Sequence, residues 1–101
     1  MGYSDAPSAV VVTLHAIQRL RLRIGRCRLW SQTMCEQWIT HQVKTSAMVI
    51  HRANGDIFVR AAAFTRTVYF VITPSANGSI YLVKTALPHV FAETNLNRRC
   101  I

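Results

Sequence analysis

Acidic side chains are almost missing from this chain. Its 101 residues hold four of them, Asp5, Glu36, Asp56 and Glu93, against twelve Lys and Arg, which gives a formal charge of +8. So few carboxylates, so widely spaced, argue against a paired-carboxylate or two-metal site. Cysteine is scarce too: Cys27, Cys35 and Cys100 are odd in number and form no close CxxC pair. That argues against a disulfide framework or a zinc knuckle. No apolar run approaches a membrane span, and residues 1–7 carry an acid but no Lys or Arg. No membrane segment, export signal, metal or cofactor is therefore expected, and the cytoplasm is the expected compartment.

What is present is a hydrophobic and strongly basic chain. Half the residues are hydrophobic and 16% are charged, a globular rather than disordered balance. The length predicts a single domain over 1–101, with a core from 9 to 88 and loose ends. Ten of the cations are Arg and two are Lys. The net charge predicts a polyanionic partner, nucleic acid or an anionic surface, and the bias to Arg fits bidentate phosphate recognition.

Residues 13–24 read as one helix. Thr13 can cap its first turn, Val12 and Ile17 occupy hydrophobic-staple positions, and Gly25 suits a left-handed residue past the last turn. At about 100° per residue, Leu14, Ile17, Leu20 and Ile24 share an arc that should face a core. His15, Arg19 and Arg23 share the neighbouring arc, an imidazole in line with two guanidiniums where a phosphodiester can sit. The plainer alternative is a solvated basic face, since charge runs usually are one.

Arg26, Cys27 and Arg28 make a basic connector, and Trp30-Ser31 opens a second helix running to about Gln42, with Met34, Cys35, Trp38 and Ile39 on its apolar side. Cys35 is read as a packing residue rather than a ligand. After Lys44 the period changes to that of strands, at 45–52, 56–63, 66–73 and 79–87, with turns at Asn54-Gly55 and at 74–78. Residues 9–12 are either a short strand or only the staple. The expectation is an α+β fold: two N-terminal helices packed on a four-stranded antiparallel sheet. In the last strand Ile80, Leu82 and Lys84 alternate with Tyr81, Val83 and Thr85. Period alone does not say which set meets the helices.

Two helices before an antiparallel sheet, with His15-x3-Arg19-x3-Arg23 on the first helix, resemble small RelE-like domains of the barnase, colicin and RelE ribonuclease superfamily. Such domains often open on T-x-H-A-x-x-R-x-x-x-R, which stands here as Thr13-Leu14-His15-Ala16-Ile17-Gln18-Arg19-Leu20-Arg21-Leu22-Arg23. They often close on a strand with Thr, an apolar residue and Pro, here Val83-Lys84-Thr85-Ala86-Leu87-Pro88. Trp30 and Trp38 have no counterpart in that pattern. The resemblance implies a RelE/barnase-like fold and a ribonuclease toxin, encoded in a prophage or a toxin–antitoxin pair, with an acidic antitoxin or immunity protein as partner. It also implies that Thr85 joins the site.

Metal-independent RNA cleavage needs a base for the 2′-hydroxyl, cations for the phosphorane and an acid for the leaving oxygen. Histidine is the natural proton carrier. The candidate catalytic set is His15, Arg19, Arg23 and Thr85, and the candidate RNA contacts are Arg26, Arg28, Arg66 and Tyr69. Arg66 and Tyr69 belong to it only if they face the helices. His51 and His89 compete for the second proton role, whereas His51, Arg60 and Tyr81 are more simply exposed strand residues. The alternative function is a non-catalytic nucleic-acid-binding module, or a phage accessory factor that blocks a host protein. A pocket joining His15, Arg19 and Thr85 would favour the enzyme, and a flat basic face the binder.

Overall fold

The computed structural model describes residues 8–45, 49–63 and 66–88. The chain runs β1 (Ala9–Val12), α1 (Leu14–Arg23), a 3-10 turn (Gly25–Leu29), α2 (Gln32–Thr45), β2 (Val49–His51), β3 (Ile57–Ala63), β4 (Arg66–Pro74) and β5 (Ile80–Pro88).

Both helices start where the sequence places them. The Thr13 hydroxyl accepts from the Ala16 amide at 3.1 Å, and the Ser31 hydroxyl accepts from the Met34 amide at 3.1 Å. Each side chain satisfies an amide that the first turn leaves without a partner. The end of α1 differs from the expected glycine cap. Ile24, buried in the core, leaves the helix in an extended conformation at φ −119°, and Gly25 merely opens the 3-10 turn. Burial of Ile24 and Cys27 dictates this exit, and Arg21 secures it by donating from Nη2 to the Trp30 carbonyl at 2.7 Å. Leu14 also departs from expectation. It is 60% exposed, because the buried stripe of α1 centres on Ala16, Ile17 and Leu20. In α2 the stripe is Cys35, Ile39 and Val43, so Met34 faces outwards and the helix extends to Thr45.

The sheet has five strands in the order β1-β5-β4-β3-β2. The meander from β2 to β5 is antiparallel as expected, but β1 adds to it in parallel with β5, making the sheet mixed rather than four-stranded and antiparallel. The cause is local. The Ala9 amide donates to the Ser79 carbonyl and the Thr13 amide to the Val83 carbonyl, each at 3.2 Å. Val10 and Val12 meanwhile pack against the main core. Residues 9–12 thus serve as strand and as entry to the helix together. Between β2 and β3 the turn is wider than a two-residue hairpin: the Arg52 amide donates to the Asp56 carbonyl at 2.9 Å. Gly55 sits inside it at φ +91°, a conformation glycine adopts without steric cost.

The structure assigns the two sheet faces. Val68, Phe70 and Ile72 of β4 meet the helices, together with Ile57, Val59, Ala61, Val83 and Ala86. Trp38 bridges the layers, edge-on to Phe70 and to Trp30 with ring centroids 6.0 Å apart in each case. The opposite face carries a second cluster of Phe58, Tyr69 and Val71, joined by Ile50 and Leu87. There the Arg52 guanidinium lies 4.4 Å from the centre of the Phe58 ring.

One irregularity decides where the end of β5 points. Val71 pairs with Thr85, but its neighbour Ile72 pairs with Val83. Lys84 is therefore an extra residue, a bulge that reverses the alternation of side chains beyond it. Strict alternation would put Thr85 on the same face as Val83. Instead Thr85 stands opposite Val71, on the face away from the helices, and Ala86 takes its place in the core.

Candidate nucleic-acid interface

One flank of α1, beside its buried stripe of Ala16, Ile17 and Leu20, carries the basic row. His15 is exposed near the start of the helix, and Arg19 and Arg23 follow at successive turns, both half-buried. Helical spacing of four residues brings such side chains together. The Arg19 Nε–H donates to His15 Nε2 at 3.4 Å, a long hydrogen bond that uses the lone pair of a neutral imidazole. That bond occupies the ring's one acceptor lone pair, which becomes available again only when Arg19 turns from it, for example to a phosphate. The Arg23 Nε is buried and hydrogen-bonds to nothing among the described residues. Arg21 and Arg23 also lie in the last turn of α1, where their charge complements the helix dipole.

Arg26 and Arg28 project from the exposed side of the 3-10 turn, at the far end of α1 from His15. They extend the same basic element without reaching its imidazole. Arg66, exposed at the first position of β4, has the register parity of Val68 and Phe70 and so belongs to the helix-facing side. Tyr69 has the other parity. It is buried in the outer cluster with its ring centroid 6.2 Å from that of Phe58, so it does not face the helices. Thr85, shifted by the bulge, shares that outer side. His51 and Arg60 are exposed on their strands, and Tyr81 packs half-buried against the main core. His89 lies outside the described residues.

The two terminal motifs nevertheless meet, through Thr13, which opens the first of them and caps α1. The Thr13 hydroxyl is 2.9 Å from the Val83 carbonyl and 3.2 Å from the Lys84 carbonyl, and donates into the bulge. One side chain thus fixes the start of α1, and with it His15, to the irregular stretch of β5. The bulge has a second tie: Lys84 Nζ reaches Asp56 Oδ2 at 2.8 Å, while Asp56 Oδ1 accepts from the Thr73 hydroxyl at 2.9 Å. Burial works to raise the Asp56 pKa. The hydrogen bonds from Lys84 and Thr73 and the charges of Lys84 and Arg52 outweigh it, and hold the carboxyl below its usual value. Asp56 is thereby neutralised internally and does not offset the charge on α1.

Among the described residues, no three His, Cys, Asp or Glu side chains converge as a ligand set. Cys27 and Cys35 are free thiols buried in the core. Burial, with Cys35 as a lesser influence, pushes the Cys27 thiol up to about 11, so it is protonated and poorly nucleophilic near neutrality. Among the described residues no helix is long and apolar enough to cross a membrane. Comparison with known proteins gave no match to a family model, a curated protein or a solved structure.

Proposed function

We propose that this chain is an RNA-targeting domain that grips phosphates along α1 and cleaves RNA without a metal. His15 is the base that takes the 2′-hydroxyl proton once Arg19 turns from its Nε2 to the phosphate, and Arg19 and Arg23 are the cations for the phosphorane. The observation that carries this reading is the hydrogen bond from Arg19 to His15 on a helix that presents Arg23 one turn further on. The +8 charge supplies the long-range attraction for a polyanion. The resemblance of the two terminal motifs to RelE-like ribonucleases points the same way, and would make the chain a toxin held in check by an acidic antitoxin or immunity protein.

The bulge supports a second reading. Thr85 lies across the sheet from α1, so no hydroxyl from the closing motif completes the His15–Arg19 pair through its side chain. A basic helix without that third group suits a module that binds nucleic acid, or a host protein, without cutting.

A cleavage assay on structured and single-stranded RNA, in EDTA, separates the two. The enzyme reading expects products ending in a 2′,3′-cyclic phosphate. General acid–base catalysis is worth about 10²–10⁴ in rate, so His15→Ala should lose that much while keeping RNA affinity. Thr85→Ala should cut at nearly the wild-type rate, because Thr85 faces away from the helix. No cleavage by folded, RNA-binding wild type would establish the binder, and cleavage untouched by His15→Ala would move the site elsewhere.

A further inference from the structure

The sheet ends at β1, on an edge whose four residues carry no Lys, Arg or His. In a parallel ladder alternate residues bond to the neighbouring strand. Here those are the odd-numbered ones, as the bonds from the Ala9 amide to Ser79 and from the Thr13 amide to Val83 show. The backbone amides and carbonyls of Val10 and Val12 therefore point away from β5. Among the described residues no strand lies beyond β1.

Edge strands are commonly shielded by a charge, a proline or a bulge. β1 reads Ala-Val-Val-Val and has none of these in its sequence, and α2 packs against it on the side of Val10 and Val12, leaving Ala9 and Val11 exposed. Beside it, on the face away from the helices, Val11 is 50% exposed, Ile80 44% and Leu82 37%. The register sets Val11 next to Leu82 and Ala9 next to Ile80, so the three larger side chains form one apolar strip across two strands. The edge thus offers ladder hydrogen bonds, and the strip offers a place for apolar side chains.

Charge selects the occupant. The chain carries +8, and of its two described acids, Glu36 and Asp56, the latter is engaged by Lys84. A second copy would bring a further +8 to the contact, whereas an acidic segment would be drawn in. We propose that β1 is a docking edge for an extended, acidic segment of another protein. The segment adds to the sheet alongside β1 and lays its apolar side chains against Val11 and Leu82. This inference does not depend on RNA cleavage.

The test uses the full chain, labelled with nitrogen-15, and two short synthetic peptides. One alternates glutamate with valine and the other lysine with valine. The acidic peptide should shift the Val10 and Val12 amide signals and slow their hydrogen exchange. The basic peptide should bind about tenfold or more weakly at low salt. Val10→Pro removes an outward amide while sparing the bonds to β5, and should weaken the acidic peptide about tenfold or more. Val11→Asp, at an exposed position, puts a like charge against the acidic peptide and should do the same should the proline disturb folding. Equal binding of the two peptides, or shifts that bypass Val10 and Val12, would overturn the proposal. So would a wild-type dimer that Val11→Lys turns into a monomer, since the occupant would then be a second copy.

Discussion

The two faces of the sheet are built alike in chemistry but unlike in consequence. On the inner face Phe70, Ile72, Val83 and Ala86 meet α1 and α2, and Trp38 ties the layers together. On the outer face Phe58, Tyr69 and Val71 form a smaller cluster, topped by the Arg52 guanidinium. β5 serves both, and its bulge at Lys84 decides which residue goes where. One inserted residue sends Thr85 to the outer side and admits Ala86 to the core. A motif therefore cannot be placed on a face by counting alternate residues through a strand.

The largest test of that comparison is a pair of truncations. Phe70→Ala should cost about 4–5 kcal/mol in chemical denaturation and Phe58→Ala about 3 kcal/mol, both within the range for buried aromatics. The order reflects the contacts each loses: Phe70 touches a helix layer, Phe58 only the outer cluster. Equal losses would mean that the faces contribute alike. Next in size is Thr13→Ala, which removes a helix cap and the bond into the bulge together. A loss of about 1–2 kcal/mol is expected, with Thr13→Ser restoring most of it. A loss of only a few tenths would mean that the tie between α1 and β5 carries little.

The smallest expected effect concerns the outer tie of the bulge. The Asp56 carboxyl is held below its usual pKa, so its contribution to stability is present above the unfolded value. It is lost as the pH falls through the lower, folded one. Lys84 is well exposed, and solvent screening keeps the effect under about 1 kcal/mol. Wild type should lose this increment on acidification below about pH 4, and Asp56→Asn should not. Parallel pH profiles for the two proteins would show that the ion pair adds nothing.

These particulars also mark what was legible in the sequence. Thr13 and Ser31 could be read as caps because capping is a local matter of one hydroxyl and an amide three residues on. The meander could be read from its turns and its change of period. The adjacency of His15, Arg19 and Arg23 followed from helical spacing, and the contact between His15 and Arg19 is in keeping with it. The bulge could not be read. No glycine marks it, and Lys84 is bound to Asp56 from a distant turn. The parallel pairing of β1 was equally hidden, because Ala9 and Ile80 become neighbours only after the whole meander has folded. The displacement of Thr85 from the helical face follows from the bulge, whereas Tyr69 is set apart by plain alternation with Val68 and Phe70.

The central claim is that α1 is the phosphate-binding element, and the salt dependence of RNA binding addresses it most directly. Affinity should be measured across a salt series for wild type and for the Arg19→Ala, Arg23→Ala double variant. Each neutralised phosphate contributes about 0.7–0.9 to the slope of log affinity against log salt, so the variant's slope should be shallower by about 1.4–1.8. An unchanged slope, with the variant folded, would contradict the account and place the footprint away from α1.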